Sequence, residues 1–323
     1  MRSVRLLLTS AFICIACSPV HAIEGPTIAG PIGGTDIRSA QLPPPGLYGG
    51  LILGRGVAFD FVDGNGKTIP QFSTAHLTKT LDGPFLMYVP DVKVLGGSIG
   101  LAGIIPNGLQ CGHLFANTPD DCTIGLADPY VEIDWSRSFG KLRPSKFPGA
   151  FPILEGLSIL VGFGVVLPIG QYDASDPTDQ ALSLGGNIWD FAPSVAFTYT
   201  TRPILAEGTE FSAKLYLNNY LTNPTTDYST GSLMNIDFAV SERIGRFQLG
   251  LAGVYVLQVE DDKQFDVKVP PDGRRVELLE LGGVINYDMP EHKAALRAKV
   301  LTTAMAKNLV RSYSIFLGWI KKF

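Results

Sequence analysis

The chain predicts an all-β fold: an antiparallel, up-and-down transmembrane β-barrel of about 12 strands, of the outer-membrane kind. Three observations carry this. There is a meander of long period-two strands, the loops alternate between long and short, and the two chain ends look like those of an exported protein that closes on a strand. The meander runs from Gly208 to Glu260. Phe211, Ala213, Leu215 and Leu217 alternate with Ser212, Lys214, Tyr216 and Asn218. Met234, Ile236, Phe238 and Val240 alternate with Asn235, Asp237, Ala239 and Ser241, and from Phe247 to Val259 the rhythm continues. Successive side chains on a strand point to opposite faces, so these are three amphipathic strands of ~12–14 residues, about twice the usual length. A soluble sandwich or lipocalin would turn the apolar face inward, whereas an outer-membrane barrel would turn it to lipid and line its lumen with the polar face. The meander leaves both open.

The N-terminal end decides the compartment. Residues 1–22 have a basic start (Arg2, Arg5), an apolar stretch Leu6–Ala16 too short to span a bilayer, and a small-residue cleavage site at Val20-His21-Ala22. They read as a secretory signal. Cys17 raises a lipoprotein alternative, which Cys14 disfavours because a branched apolar residue is wanted there. Without Arg2 and Arg5 the balance of 26 basic and 30 acidic residues shifts further to the acidic side. Nothing resembles the clustered basic residues that nucleic acid requires.

Residues 23–46 follow as a Gly/Pro-rich segment. It contains Gly33-Gly34 and ends in Pro43-Pro44-Pro45-Gly46, so it forms neither a regular strand nor a helix. It is read as either a periplasmic lead-in or a lumen plug. Residues 47–323 are then the barrel, with candidate strands at 47–59, 82–91, 97–106, 128–139, 156–168, 187–201, 208–221, 231–243, 246–260, 274–288, 292–306 and 311–323. The gaps at 60–81, 107–127, 169–186, 222–230, 261–273 and 307–310 are mostly long, while those at 92–96, 202–207, 244–245 and 289–291 are mostly short. The stretch 140–155 is the exception. Segregated loop lengths are expected of a barrel with both termini in the periplasm, and a sandwich has no reason for them.

Within the second long gap, Cys111 and Cys122 are the two cysteines that survive signal removal. In an oxidising compartment they read as a loop-closing disulfide. A metal site would need more thiol or imidazole ligands than the single nearby His113.

The chain ends on a strand in which Tyr313, Ile315, Leu317, Trp319 and Phe323 share one parity. Trp319 and Phe323 look like the assembly signal that outer-membrane barrels present to the barrel-assembly machinery, although Lys321 interrupts the run. After the signal no apolar run is long enough for a transmembrane helix. Charged residues make up 17% of the chain and hydrophobic residues 46%, yet alternation disperses the apolar positions, as a lipid-facing wall requires.

From Leu167 the sequence reads Leu-Pro-Ile-Gly-Gln-Tyr-Asp, then Gly186-Asn-Ile-Trp-Asp-Phe-Ala-Pro193 and Phe197-Thr-Tyr199. With Leu42-Pro-Pro-Pro-Gly46 upstream and Thr226-Asp-Tyr-Ser-Thr-Gly231 downstream, this resembles the outer-membrane transporter family of the phenol-degradation meta-pathway, which includes SphA-like proteins. The similarity covers about Gln41 to Phe323, and the Cys111–Cys122 loop is not part of the pattern. The resemblance implies uptake of small, often aromatic or otherwise hydrophobic compounds, and supplies no defined set of binding residues. Physically, Pro168, Gly170, Tyr172 and Asp173 end one strand, and Asn187, Trp189 and Pro193 open the next. The reading that fits them best is a structured extracellular loop with Trp189 in the aromatic girdle; direct substrate contact is the alternative.

If Phe211, Ile236 and Leu249 face lipid, the lumen and substrate path receive Lys214, Tyr216, Asn218, Tyr220, Asn235, Asp237, Gln258, Arg297, Lys299 and Phe316. They also receive Leu160, Val166, Val254, Val256, Leu278, Val284 and Ile320, for which a water-filled porin has little use. These apolar residues either pack on an internal plug or form a greasy path for an apolar substrate. No catalytic constellation is legible: His76, His113 and His292 lack a companion nucleophile at motif spacing. Asp173, Asp176 and Asp179 read as solvated loop charge ahead of a cation site, so no metal and no cofactor is expected.

The function expected is a passive outer-membrane channel or facilitator in a Gram-negative cell. Its expected partners are outer-membrane lipid and lipopolysaccharide, the assembly machinery and a small hydrophobic substrate. The alternative is a structural or adhesive barrel that acts through its loops.

Overall fold

A computed structural model describes Glu24 and residues 28–323; the signal sequence lies outside the described residues. The elements are β1 (Gly46–Phe61), β2 (His76–Val89), β3 (Gly97–Ile104), β4 (Asn107–His113), β5 (Asp121–Leu126), β6 (Tyr130–Ser138) and β7 (Ile153–Val166). They continue with helix α1 (Pro177–Leu182), β8 (Asp190–Thr200), β9 (Thr209–Tyr220), β10 (Leu233–Ile244), β11 (Phe247–Gln258), β12 (Glu277–Met289), β13 (Ala294–Lys307) and β14 (Val310–Lys322). Consecutive antiparallel pairing runs from β6 to β14. Then β14 pairs β1 from Tyr48↔Lys322 to Phe61↔Val310, which closes the barrel. Twelve strands form the wall, and the β4–β5 hairpin extends it.

The apolar parity faces outward. Phe211, Leu217, Leu249 and Leu251 are exposed, whereas Lys214, Tyr216, Asn235 and Asp237 are buried. A soluble sandwich would have shown the reverse. Among the described residues no helix is long and apolar enough to cross a membrane; the strands are the crossing elements.

The stretch expected as a long irregular loop at 107–127 is instead mostly strand. The outer half of β2 pairs β4 from His76↔His113 to Asp82↔Asn107, and its inner half pairs β3 from Phe85↔Ile104 to Tyr88↔Leu101. β3 and β4 are thus one wall strand interrupted at Ile105-Pro106, and β2 begins six residues earlier than the sequence suggested. β5 and β6 are likewise interrupted at Ala127-Asp128-Pro129. A proline at each break removes a ladder donor and lets the strand bend. β6 goes on to pair β7, but β5 pairs only β4.

Cys111 and Cys122 are directly opposite each other in this hairpin and form a disulfide. The Cys111→Ser/Cys122→Ser variant is expected to lose about 2–3 kcal/mol of local hairpin stability on the loop-entropy account. Limited proteolysis should then nick residues 114–120 faster, while the heat-modifiable gel mobility of the barrel is retained.

Apart from the long connection 139–152, the inner turns are short. Glu207, in the turn between β8 and β9, accepts from the Lys146 and Gly245 amides and the Ser145 hydroxyl. It therefore ties three turns together. Burial raises its pKa, but these donors outweigh burial and hold the carboxyl below its ordinary value of 4.5. A lowered folded pKa contributes stability that is present above the unfolded value and lost as pH falls through the folded one. The Lys146 and Gly245 amide shifts are therefore expected to titrate together below pH 4.5, and this transition should vanish in Glu207→Gln.

Candidate functional site: the lumen

The lumen is organised around residues 28–45, which cross it from the outer mouth to the inner rim. At the outer mouth Glu24 accepts from Tyr172, Gln180 and Asn223. Tyr220 donates to the Ala29 carbonyl at 2.7 Å. Deeper, Asp237 accepts from the Gly33 amide (3.0 Å) and from the Thr35 amide (3.0 Å) and hydroxyl (3.1 Å). Asp36 is 2% exposed and sits between Arg297 at 2.7 Å and Lys299 at 3.2 Å, while Lys299 also donates to the Gly33 carbonyl. Arg38 reaches Asp288 at 3.0 Å, which Arg243 shares at 2.8 Å, and the Arg38 guanidinium also donates to Gln248. The Ala40 amide donates to Thr198, and its carbonyl accepts from Ser136. Backbone with no sheet partner of its own thereby finds acceptors and donors on the wall, as buried backbone must.

Apolar contacts follow the same path. Ile28 and Ile32 pack on Val254, Val256, Leu278 and Leu301, with Phe316 at the edge of the cluster. Ile37 packs on Ala239, Ala252 and Val284, and Ala40 and Leu42 pack on Leu160 and Ala196. Of the inward apolar residues that a water-filled pore would not need, Leu160, Val254, Val256, Leu278 and Val284 are covered by the Gly/Pro-rich segment, whereas Ile320 is exposed.

Of the expected lumen residues, Tyr220, Asp237, Arg297 and Lys299 bind the segment directly. Asn218 and Asn235 bond each other at 2.7 Å, and Gln258 donates to Asp262 nearer the outer mouth. Lys214 instead bridges Glu132 at 2.5 Å and Asp134 at 3.4 Å across the lumen, with its ammonium 4.9 Å from the Tyr216 ring. Phe316 lies under the Lys299 ammonium at 5.4 Å. Sequence parity did not single out Asp36, Arg38, Glu132, Asp134, Arg243 or Asp288. The available signal, for Asp36 and Arg38 alone, was the mixed-charge run Thr35-Asp-Ile-Arg-Ser39 in a segment whose one other charge is Glu24.

The motif residues build the outer mouth. The Gly170 and Gly186 amides both donate to Asp128, tying the ends of the 167–189 loop to the β5–β6 break. Tyr172 and Asn223 meet on Glu24, and Asn187, with a left-handed φ of 54°, donates to Asn223. Asp176 caps α1 by accepting the Thr178 and Asp179 amides, and Asp173 caps the Ser175 amide. Two of the three aspartates are thus turn and helix caps, and Asp179 accepts from the Ser175 hydroxyl. Trp189 is exposed on the outer wall and stacks on Phe191 at 6.3 Å. Pro193 also faces outward, and pairing of β8 with β9 skips from Phe191 to Ser194. Trp319 and Phe323 are exposed at the inner rim, where the Phe323 amide closes on the Leu47 carbonyl.

The histidines do not assemble a base. His113 bonds Asp120 through Nδ1 at 2.6 Å and the Thr74 carbonyl through Nε2 at 2.8 Å, so both nitrogens are occupied by acceptors. Among the described residues no group of three or more His, Cys, Asp or Glu side chains is placed to hold a metal ion.

The fold matches the crystal structure of the COG4313 outer membrane channel from Pseudomonas putida F1. The match has a TM-score of 0.71 at 14% identity and covers 90% of this chain and 100% of that one. The β domain of the Bordetella autotransporter BrkA aligns with a TM-score of 0.46 at 11% identity, over 85% of this chain and 99% of that one. No curated protein sequence matches. The model of the family described as "Putative MetA-pathway of phenol degradation" matches residues 58–317, well over half of the sequence, and the chain belongs to that family.

Proposed function

We propose that the barrel is a passive outer-membrane facilitator for small hydrophobic or aromatic compounds, with residues 28–45 as a lumen plug. The observation that carries this is the segment's attachment at Glu24 and again from Ala29 to Ala40, which leaves most of the wall's inward apolar residues covered. Such a lumen supports neither a general hydrophilic pore nor an enzyme. In this reading outer-membrane lipid and lipopolysaccharide contact the apolar band, and the assembly machinery reads Trp319 and Phe323. The same occlusion favours a second reading, a structural or adhesive barrel acting through its outer loops.

Uptake of radiolabelled phenol, toluene and a long-chain fatty acid, at limiting concentration in cells with and without the gene, separates the two. A defect for one class, relieved by permeabilising the outer membrane, is the expected result. Equal uptake of all three would support the structural reading.

A further inference from the structure

The outer wall carries two opposite charges where lipid contact is expected. Arg55 on β1 is in register with Ile315 and Thr80, and Asp82 on β2 with Leu53 and Asn107. All share the outward parity of Leu51, Leu53 and Leu86, and Arg55 and Asp82 are exposed. Among the described residues, the other charged outward side chains sit within three positions of a strand end, as Glu242, Glu277 and Lys307 do. Arg55 and Asp82 sit well inside their strands. Among the described residues neither joins an ion pair, and the Asn107 side chain donates to Asp82 at 3.4 Å. Charges that face acyl chains are costly, and a polar group beside them lowers that cost.

The same place holds an open groove of about 720 Å³, lined by Arg55, Thr80, Asp82 and Asn107 and by Leu53, Leu109 and Ile124. The groove reaches from β14 across β1, β2 and β4 to β5, four strand spacings or roughly 19 Å. At its far edge β5 pairs only β4. The volume of the groove lies within the range of about 300–1,000 Å³ typical of small-molecule sites.

We propose that this groove binds an uncharged hydrophobic molecule bearing a hydroxyl, such as an alkylphenol or a fatty alcohol, taken from the lipid phase. The hydroxyl donates to the Asp82 carboxylate and accepts from the Arg55 guanidinium, and the apolar remainder lies along Leu53, Leu109 and Ile124. An anionic head would meet Asp82 and a cationic one Arg55, so a neutral donor–acceptor head fits best. Binding is read as occupancy, so this site stands or falls separately from the uptake reading.

The test uses the full-length barrel in phosphatidylcholine nanodiscs with a photoreactive 4-alkylphenol, and labelled peptides are mapped by mass spectrometry. Label is expected on the peptides that contain Leu53, Leu109 and Ile124. Competition by 4-octylphenol should reduce it about fivefold or more, while octylbenzene, which lacks the hydroxyl, competes weakly. Arg55→Leu/Asp82→Leu should lose about tenfold in labelling while keeping the heat-modifiable band. Equal competition by octylbenzene, label spread around the wall, or unchanged labelling of the double variant would overturn the proposal. Elution of the purified barrel as a dimer in mild detergent would assign the face to a second copy. The competition pair is measured on the unaltered protein, so its outcome does not depend on whether the variant folds.

Discussion

Asp36→Ala is expected to detach the lumen segment and raise single-channel conductance in planar bilayers, whereas the isosteric Asp36→Asn should give a smaller rise. Asp36 is 2% exposed and opposes two cations, Arg297 and Lys299. Removing one member of a buried ion pair costs about 3–5 kcal/mol, because the charge left behind keeps its desolvation penalty without its partner. Most of that cost falls on Lys299, whose side chain is 6% exposed; Arg297, at 34%, is partly screened by solvent and contributes less. A shift of about 3 kcal/mol moves a closed–open equilibrium by roughly two orders of magnitude, enough to convert rare openings into frequent ones. Asp237 and Asp288 still hold the flanking residues, so the expected product is a looser segment that proteases reach from outside. Conductance and protease sensitivity identical to those of the unaltered protein would mean that residues 28–45 are not the barrier.

The wall of this site was legible in the sequence and the segment that fills it was not. A strand of known parity fixes which way each side chain points, so Lys214, Asp237 and Lys299 could be set in the lumen from alternation alone. A Gly/Pro-rich segment has no period and hence no register against the wall. Nothing in the order of residues says that Asp36 meets Lys299 or that Arg38 meets Asp288. The hairpin of β4 and β5 was missed for another reason. Leu109 and Cys111, then Cys122, Ile124 and Leu126, do alternate, but each run is short and Pro106 and Pro129 separate it from the longer strand it extends. Prolines read as strand ends, whereas here they mark bends within the wall. The motif residues Gly170, Tyr172 and Asn187 lie in the 167–189 loop. The bonds of Gly170 to Asp128, Tyr172 to Glu24 and Asn187 to Asn223 are a tertiary arrangement between segments far apart in the chain.

Ile236→Arg is expected to reduce barrel stability by about 2–4 kcal/mol and to impair membrane insertion. Ile236 lies near the middle of β10, with Leu215 and Tyr255 as its cross-strand partners on the outer parity. An arginine there has no carboxylate beside it and must reach past its neighbours to the interface. Asp237, one residue on, points into the lumen and binds Gly33 and Thr35, so the two adjacent positions test opposite faces of one strand. Arg55→Leu provides the reverse experiment, since it removes a charge from the lipid face. Under the membrane reading it should leave folding equal or improved, while Ile236→Arg weakens it. Urea unfolding in lipid vesicles, read by the loss of the heat-modifiable band, compares the two on one scale. If Ile236→Arg unfolded at the urea concentration of the unaltered barrel, the β10 face would not meet lipid. The same measurement on Arg55→Leu then decides whether the groove between β14 and β5 is the one part of the wall that is built for something other than acyl chains.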